Sequence, residues 1–308
     1  MHLYLPIAEM SVNVLVFLGL GAAIGFLSGL FGVGGGFLLT PLLIFLGIPP
    51  AVAVGTGAAH IVASSVSGAV TQYRRNNIDF KMGLVMLSGG LAGTAIGVET
   101  VRLLRRAGYF ELVVSLSYVT FLGVIGALMM IESINAWRRA KTGVASGARK
   151  SGQHSWLDGL PFKVRFNRSK LYISVIPPAV IGMFVGFMAA IMGIGGGFVI
   201  IPAMIYLLRM STSVVVGTSL FQIVFVAAFA TLLHAVQNKS VDLVLAALLI
   251  SGGVFGAQFG ASSGERLKGE QLRILLAGLV LIVAVRIAYD LVATPGELFS
   301  FGGLAGAR

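Results

Sequence analysis

The chain says one unusual phrase twice. Residues 25–41 read GFLSGLFGVGGGFLLTP and residues 186–202 read GFMAAIMGIGGGFVIIP, with eight of the 17 positions identical. The echo runs on. Val54-Gly55-Thr56 returns as Val216-Gly217-Thr218, Asp79 as Asp242, and Ser88-Gly89-Gly90-x-x-Gly93 as Ser251-Gly252-Gly253-x-x-Gly256. Two tandem copies of one apolar unit, each interrupted by a glycine knot, form a pattern typical of membrane carriers. The knot is the strongest constraint. Each glycine costs a helix about 1 kcal/mol relative to alanine, so three in a row break it. In lipid, a broken helix leaves backbone N–H and C=O groups without partners, which is tolerated only inside protein or beside a polar cavity.

Composition places the chain in lipid. Hydrophobic residues make up 57% and charged residues 11%, against roughly 25% charged in a soluble domain. A straight spanning helix needs about 20 apolar residues. The stretches 12–31, 51–71, 82–101, 110–131, 172–192, 213–235, 243–262 and 272–293 meet that length, whereas 37–48 and 198–208 are too short. The fold class expected is therefore an all-α, multi-pass integral membrane protein. It has two repeats of about four spanning helices, each with one short broken or re-entrant helix. The first apolar stretch has no Lys or Arg before it and belongs to the first repeat, so it is expected to be retained rather than cleaved. With no cysteine, disulfide and thiolate chemistry are excluded.

The chain divides into repeat 1 (12–132), a basic linker (133–171), repeat 2 (172–293) and a short tail (294–308). Nine of the 22 Lys and Arg lie in the linker with a single acid, Asp158. This reads as a cytoplasmic loop obeying the positive-inside rule, not as a nucleic-acid surface. Contact with anionic lipid headgroups accompanies such a loop. Trp137 and Trp156 flank it, and Phe162, Val164 and Phe166 alternate with polar residues, which hints at a short strand at the bilayer surface. Topology stays open. If the short pieces do not cross, the repeats are parallel and the main loops split 13 Lys/Arg inside to 6 outside. If they do, the repeats are inverted and the split is 15 to 4.

A short helix starting just after each knot, near Phe37 and Phe198, would aim its free N–H groups into a cavity. A helix N-terminus is a partial positive charge with donors attached, and glycine lets a ligand approach the backbone. Gly34, Gly35 and Gly36 with Gly195, Gly196 and Gly197 are thus candidate anion-binding positions. The competing reading is close helix packing, for which Gly25-x-x-x-Gly29 and Gly182-x-x-x-Gly186 have the spacing. Polar residues inside spans are costly and default to function. His60 lies four residues after Thr56 on one helical face, and the aligned pair is Thr218 and Gln222. These four join the candidate substrate site, where His60 could couple a proton. The bland alternative is a helix-to-helix hydrogen bond. Arg286 and Asp290, four apart, read as a structural ion pair.

No enzyme is read from these residues. Gly260-Ala261-Ser262-Ser263-Gly264 fits Gly-x-Ser-x-Gly but ends a span instead of forming a strand-turn-helix elbow. No catalytic residue, metal cluster or cofactor motif stands out, and no Gly-Lys-Ser/Thr follows the knots.

The paired G-x-GGG-x-x-x-x-P stretches, each followed by a Val-Gly-Thr span and a Ser-Gly-Gly-x-x-Gly span, resemble the sulfite exporter TauE/SafE family, also called toluene sulfonate uptake permeases. The resemblance covers about 12–293. It implies a carrier in the cell inner membrane for small sulfur-containing anions such as sulfite and organosulfonates, and it fixes no substrate residue. The reading is a secondary exporter working by alternating access, with membrane lipids around it, protons as a coupling ion, no nucleic-acid partner and room for a homo-oligomer. The rivals are a membrane scaffold or assembly factor acting through the basic loop, and an anion channel.

Overall fold

The computed structural model describes residues 2–31, 35–141, 161–166, 168–169, 171–208, 210–264 and 269–292. Gly34 and most of the basic linker, Trp156 included, lie outside the described residues. Among the described residues the fold is all-α with two small hairpins, as an integral membrane protein of this composition requires.

The first half begins with a hairpin, β1 (His2–Leu5) paired antiparallel with β2 (Met10–Asn13). It continues as α1 (Val14–Phe31), α2 (Gly36–Phe45), α3 (Pro50–Arg74), α4 (Phe80–Arg106) and α5 (Phe110–Lys141). The second half repeats that order: β3 (Lys163–Phe166) with β4 (Leu171–Ser174), then α6 (Ile176–Met192), α7 (Gly197–Tyr206), α8 (Thr212–Leu233), α9 (Leu243–Gly264) and α10 (Gly269–Val292). A single π turn, His234–Asn238, extends α8. Local chemistry sets these boundaries. Proline opens α3 and α6, where a missing N–H costs nothing. Asp79 caps α4 by accepting from the Met82 amide, and Asp242 caps α9 by accepting from Val244 and Leu245. Gly108, at φ +76°, lets the chain turn out of α4.

Among the described residues six helices are long and apolar enough to cross a membrane; α1, α2 and α6 are shorter apolar helices. At 1.5 Å per residue, the 18 residues of α1 reach about 27 Å and the 10 of α2 about 15 Å. So α1 nearly crosses a hydrocarbon core of about 30 Å, and α2 covers half of it.

The last helix of the first half runs past residue 132 to Lys141, into what reads as linker. The alternating residues near 162–166 do form a strand, but as one arm of a hairpin, and a second hairpin precedes α1. The two hairpins correspond residue for residue at an offset of 161: Leu5 pairs with Met10 and Phe166 with Leu171, and both Leu5 and Phe166 are fully buried.

Glycines bring the helices together in crossed pairs. A side chain on Gly21 or Gly25 of α1 would collide with the backbone of Leu249 or Gly253 of α9. On Gly182 or Gly186 of α6 it would collide with Met86 or Gly90 of α4. In both pairs the numbers rise together, so α1 runs parallel to α9 and α4 parallel to α6. The first helix of each half therefore packs on the fourth helix of the other, through small residues that admit backbone-to-backbone approach.

The long helices α3 and α8 run in opposite directions. Thr56, near the start of α3, lies beside Asp242, which follows α8. Thr218, near the start of α8, lies beside Asp79, which follows α3. The two halves thus begin at opposite ends of the molecule. One end carries the first hairpin and Asp242; the other carries the second hairpin and Asp79. This is the inverted arrangement, with α2 and α7 as return passes, and it matches the 15-to-4 division of loop cations.

Candidate functional site

Both knots interrupt their helices. Gly35 and Gly196, the residues before α2 and α7, have φ of +67° and +76°, a left-handed backbone that only glycine adopts without strain. Gly193 and Gly195 are left-handed too, at +68° and +65°. Among the described residues no side chain caps either short helix. Along α7, the first amides to find an acceptor are those of Val199 and Ile200, on Gly196 O at 3.1 and 2.9 Å. The N–H groups of Gly197 and Phe198 precede them.

The two helix starts meet. The rings of Phe37 and Phe198 stack with centroids 5.0 Å apart and planes 20° off parallel. The Gly36 Cα lies close enough to the Ile194 backbone that a Cβ would stand 2.9 Å from its carbonyl carbon. Ile61 of α3 fills the space between, touching the positions that side chains on Gly36 and Gly195 would occupy, and Ile223 of α8 backs Gly195. Gly35, Gly36 and residues 193–200 are all buried. Among the described residues, no Lys or Arg is buried. Positive potential at this centre comes from backbone amides.

The carbonyls freed by the second break are answered from the first half. Tyr118 of α5 donates its hydroxyl to Met192 O at 2.5 Å, and Thr40 of α2 donates to Gly193 O at 3.3 Å. In a bilayer such donors are what make an unwound segment tolerable. Neither residue was singled out from sequence. A lone tyrosine inside the apolar run 110–131 was the available signal.

The remaining candidates take up paired positions. Thr56 and Thr218 are fully buried, and each hydroxyl accepts the amide of the other half's aspartate at 3.0 Å, Asp242 for Thr56 and Asp79 for Thr218. They hold the ends of the α3–α8 pair rather than facing the knots. His60 and Gln222 sit one residue before Ile61 and Ile223, turned towards the glycine crossings. A Cβ on Gly253 of α9 would stand 2.2 Å from His60 Nε2; one on Gly90 of α4 would stand 3.0 Å from Gln222 Nε2. Gln222 donates to Met86 O at 3.2 Å, while its Oε1 has no partner among the described residues. His60 is fully buried, and among the described residues neither ring nitrogen is hydrogen-bonded. The structure therefore brings Gly35, Gly36 and Gly195–Gly197 to one centre. It puts His60 and Gln222 one helical step away, and the threonines further out.

Asp79 and Asp242 join several elements each. Asp79 Oδ2 accepts from the amide and hydroxyl of Ser169, in the β3–β4 turn, at 2.9 and 2.7 Å. Asp242 Oδ2 accepts from the Ile7 amide in the β1–β2 turn at 3.0 Å. Each aspartate thus caps a helix and pins the hairpin that leads into the helix packed beside it. Their recurrence in both copies was the sequence signal. The ion pair between Arg286 and Asp290 forms at the exposed surface, as the four-residue spacing predicts, and so does one between Arg102 and Glu99. Among the described residues no cluster of His, Cys, Asp or Glu could hold a metal ion.

A family model described as Sulfite exporter TauE/SafE matches residues 17–287. Two Bacillus subtilis proteins, each named a probable membrane transporter protein, are similar over nearly their whole length. YunE is 26% identical over 91% of this chain and 98% of its own; YjnA is 28% identical over 90% of this chain and 100% of its own. Sulfite exporter TauE/SafE family protein 3 of Arabidopsis thaliana is 29% identical over 37% of this chain and 25% of its own. No solved structure matches. The chain belongs to the sulfite exporter TauE/SafE family of membrane transporters.

Proposed function

We propose that this family member is a secondary exporter of small sulfur-containing oxyanions, sulfite or an organosulfonate, across the cell inner membrane. It works by alternating access between two inverted halves, approximately 12–132 and 172–293. The anion is held by backbone N–H groups of the two glycine knots, Gly34–Gly36 and Gly195–Gly197. The observation that carries this reading is the meeting of two uncapped half-helix N-termini at a buried centre, marked by the Phe37–Phe198 stack, with no buried Lys or Arg among the described residues. Two aligned helix ends offer donors and partial positive charge to an anion without a fixed cation that would hold it too tightly. The stack and Ile61 close the centre in this conformation. Admitting an anion requires the two starts to move apart, which is an alternating-access step and not an open pore.

His60 supplies the coupling proton. A buried imidazole with no hydrogen bond costs about 1–3 kcal/mol, which calls for a functional return. Its twin, Gln222, cannot titrate, so coupling belongs to one half. Thr56 and Thr218 support the site by holding the ends of α3 and α8, and Gln222 by tying α8 to α4.

Counterflow in proteoliposomes tests the substrate class. Protein preloaded with unlabelled sulfite should accumulate labelled sulfite or a labelled sulfonate, with sulfate and chloride as poor competitors. Equal exchange of all four anions would defeat the assignment to sulfur oxyanions. No exchange of any of them would defeat the transport reading.

A further inference from the structure

At the end of the molecule that carries the second hairpin, the α3–α4 connection and the tip of β3–β4 enclose a cavity of about 250 Å³. Lys81 and Arg168 supply its cations, and Tyr73 and Phe80 its apolar wall. Arg168 donates to Asn76 Oδ1 at 3.4 Å. Among the described residues, neither cation forms an ion pair. The one carboxylate in the wall, Asp79, is turned to Met82 and to both donors of Ser169, all of them neutral groups. Two cations against one carboxylate leave the cavity one net positive charge, which matches a singly charged phosphodiester.

The apolar wall leads away from water. Tyr73 meets Phe80 edge-on at 6.1 Å, Phe80 meets Phe221 at 5.4 Å, and Phe221 meets Phe225 at 5.1 Å. Tyr73, Phe80 and Phe225 are 61%, 46% and 47% exposed on membrane-spanning helices. An aromatic ladder thus descends from the cationic cavity along the lipid-facing side of α4 and α8. A soluble anion would have no use for it; acyl chains would.

The duplicated fold supplies an internal control. At the corresponding place on the opposite end, with the same hairpin and the same aspartate cap, Arg168 becomes Ile7, Lys81 becomes Val244, and Asn76 becomes Lys239. The scaffold does not need the Lys81–Arg168 pair in order to fold. The pair is present only at the end that bears the basic loops.

We propose that this cavity is a headgroup site for an anionic phospholipid. Lys81 and Arg168 take the phosphodiester, and Tyr73 and Phe80 flank the glycerol and the first acyl carbons. The volume is below the roughly 300–1,000 Å³ of pockets that enclose a drug-sized ligand, which suits a headgroup whose tails remain in the bilayer. A bound headgroup bridges α4, through Lys81, to the hairpin that leads into α6, through Arg168.

Native mass spectrometry of the full-length protein, purified with added phosphatidylglycerol or phosphatidylcholine, tests the site. Phosphatidylglycerol should be retained in preference. Lys81→Gln and Arg168→Gln should each weaken that retention about fivefold, and together about 25-fold, because each basic residue near a lipid surface contributes about the same increment. Lys239→Gln at the twin position should leave it unchanged. Equal retention of the two lipids would overturn the proposal. So would an unaffected double variant, or inorganic phosphate binding as well as phosphatidylglycerol. If the double variant does not fold, the wild-type protein still decides. Its preference should collapse in about 0.5 M salt, where screening lengths shrink to a few ångströms; a preference absent at low salt would sink the site.

Discussion

His60 is the residue whose burial most needs an explanation. Both ring nitrogens lack partners among the described residues, and the ring lies against Gly253 at a helix crossing. The duplicated fold designs its own test. His60→Gln copies the side chain that occupies the same place in the other half. Transport should persist in the variant but no longer respond to an imposed proton gradient, because glutamine carries no exchangeable charge. Proteoliposome flux with and without a transmembrane pH difference checks it, and an unchanged response to the gradient would remove His60 from coupling. The glycine knots and the Thr–His and Thr–Gln pairs were legible in sequence because they occur twice. The job of the threonines was not. Each hydroxyl meets an amide more than 100 residues away, 186 for Thr56 and 139 for Thr218. Only the folded chain brings those atoms together.

Between elements, backbone-to-backbone helix contact dominates. A Cβ on Gly93 would stand 1.9 Å from Met183 O, whereas one on Gly123 would meet nothing within 4 Å. Gly93→Ala should therefore destabilise the protein by about 1–3 kcal/mol, the usual cost of overpacking. Gly123→Ala should be neutral or gain up to about 1 kcal/mol of helix propensity. Thermal unfolding in detergent distinguishes them, and equal melting temperatures would contradict the packing described. The hairpins make a second comparison. Asp79→Ala or Asp242→Ala removes a helix cap and also frees the adjoining hairpin. Each should lose at least the roughly 1 kcal/mol of a cap alone. Amide exchange should rise in the β3–β4 turn for Asp79 and in the β1–β2 turn for Asp242; protection that stays equal in both turns would contradict the pinning. Six of the eight expected spans were legible as runs of about 20 apolar residues; the runs 12–31 and 172–192 give the shorter α1 and α6, because strands β2 and β4 take up their first residues. The hairpins were less so, since four-residue strands carry too little alternation, and only the second left a trace.

For the whole molecule, the two halves run in opposite senses. Sequence could not decide this, because the answer depends on whether two ten-residue helices count as passes. Segment length argued one way and loop charge the other. The structure decides through α3 and α8, which exchange contacts end to end. The chain has no cysteine of its own, so single substitutions report topology cleanly. Asn76→Cys and Lys239→Cys lie in matching connections of the two halves. In intact cells an impermeant maleimide should label the second and not the first. Equal labelling would contradict inverted halves.

On the proposed mechanism, bare amides at the starts of α2 and α7 hold the anion. Anomalous diffraction from the protein bound to selenite, the selenium analogue of sulfite, measures it directly. A selenium peak is expected between the two helix starts, within hydrogen-bonding reach of the Gly197 and Phe198 amides. That peak should be lost in Gly196→Leu protein that still inserts in the membrane. A peak held instead by side-chain cations elsewhere, and unaffected by Gly196→Leu, would contradict it.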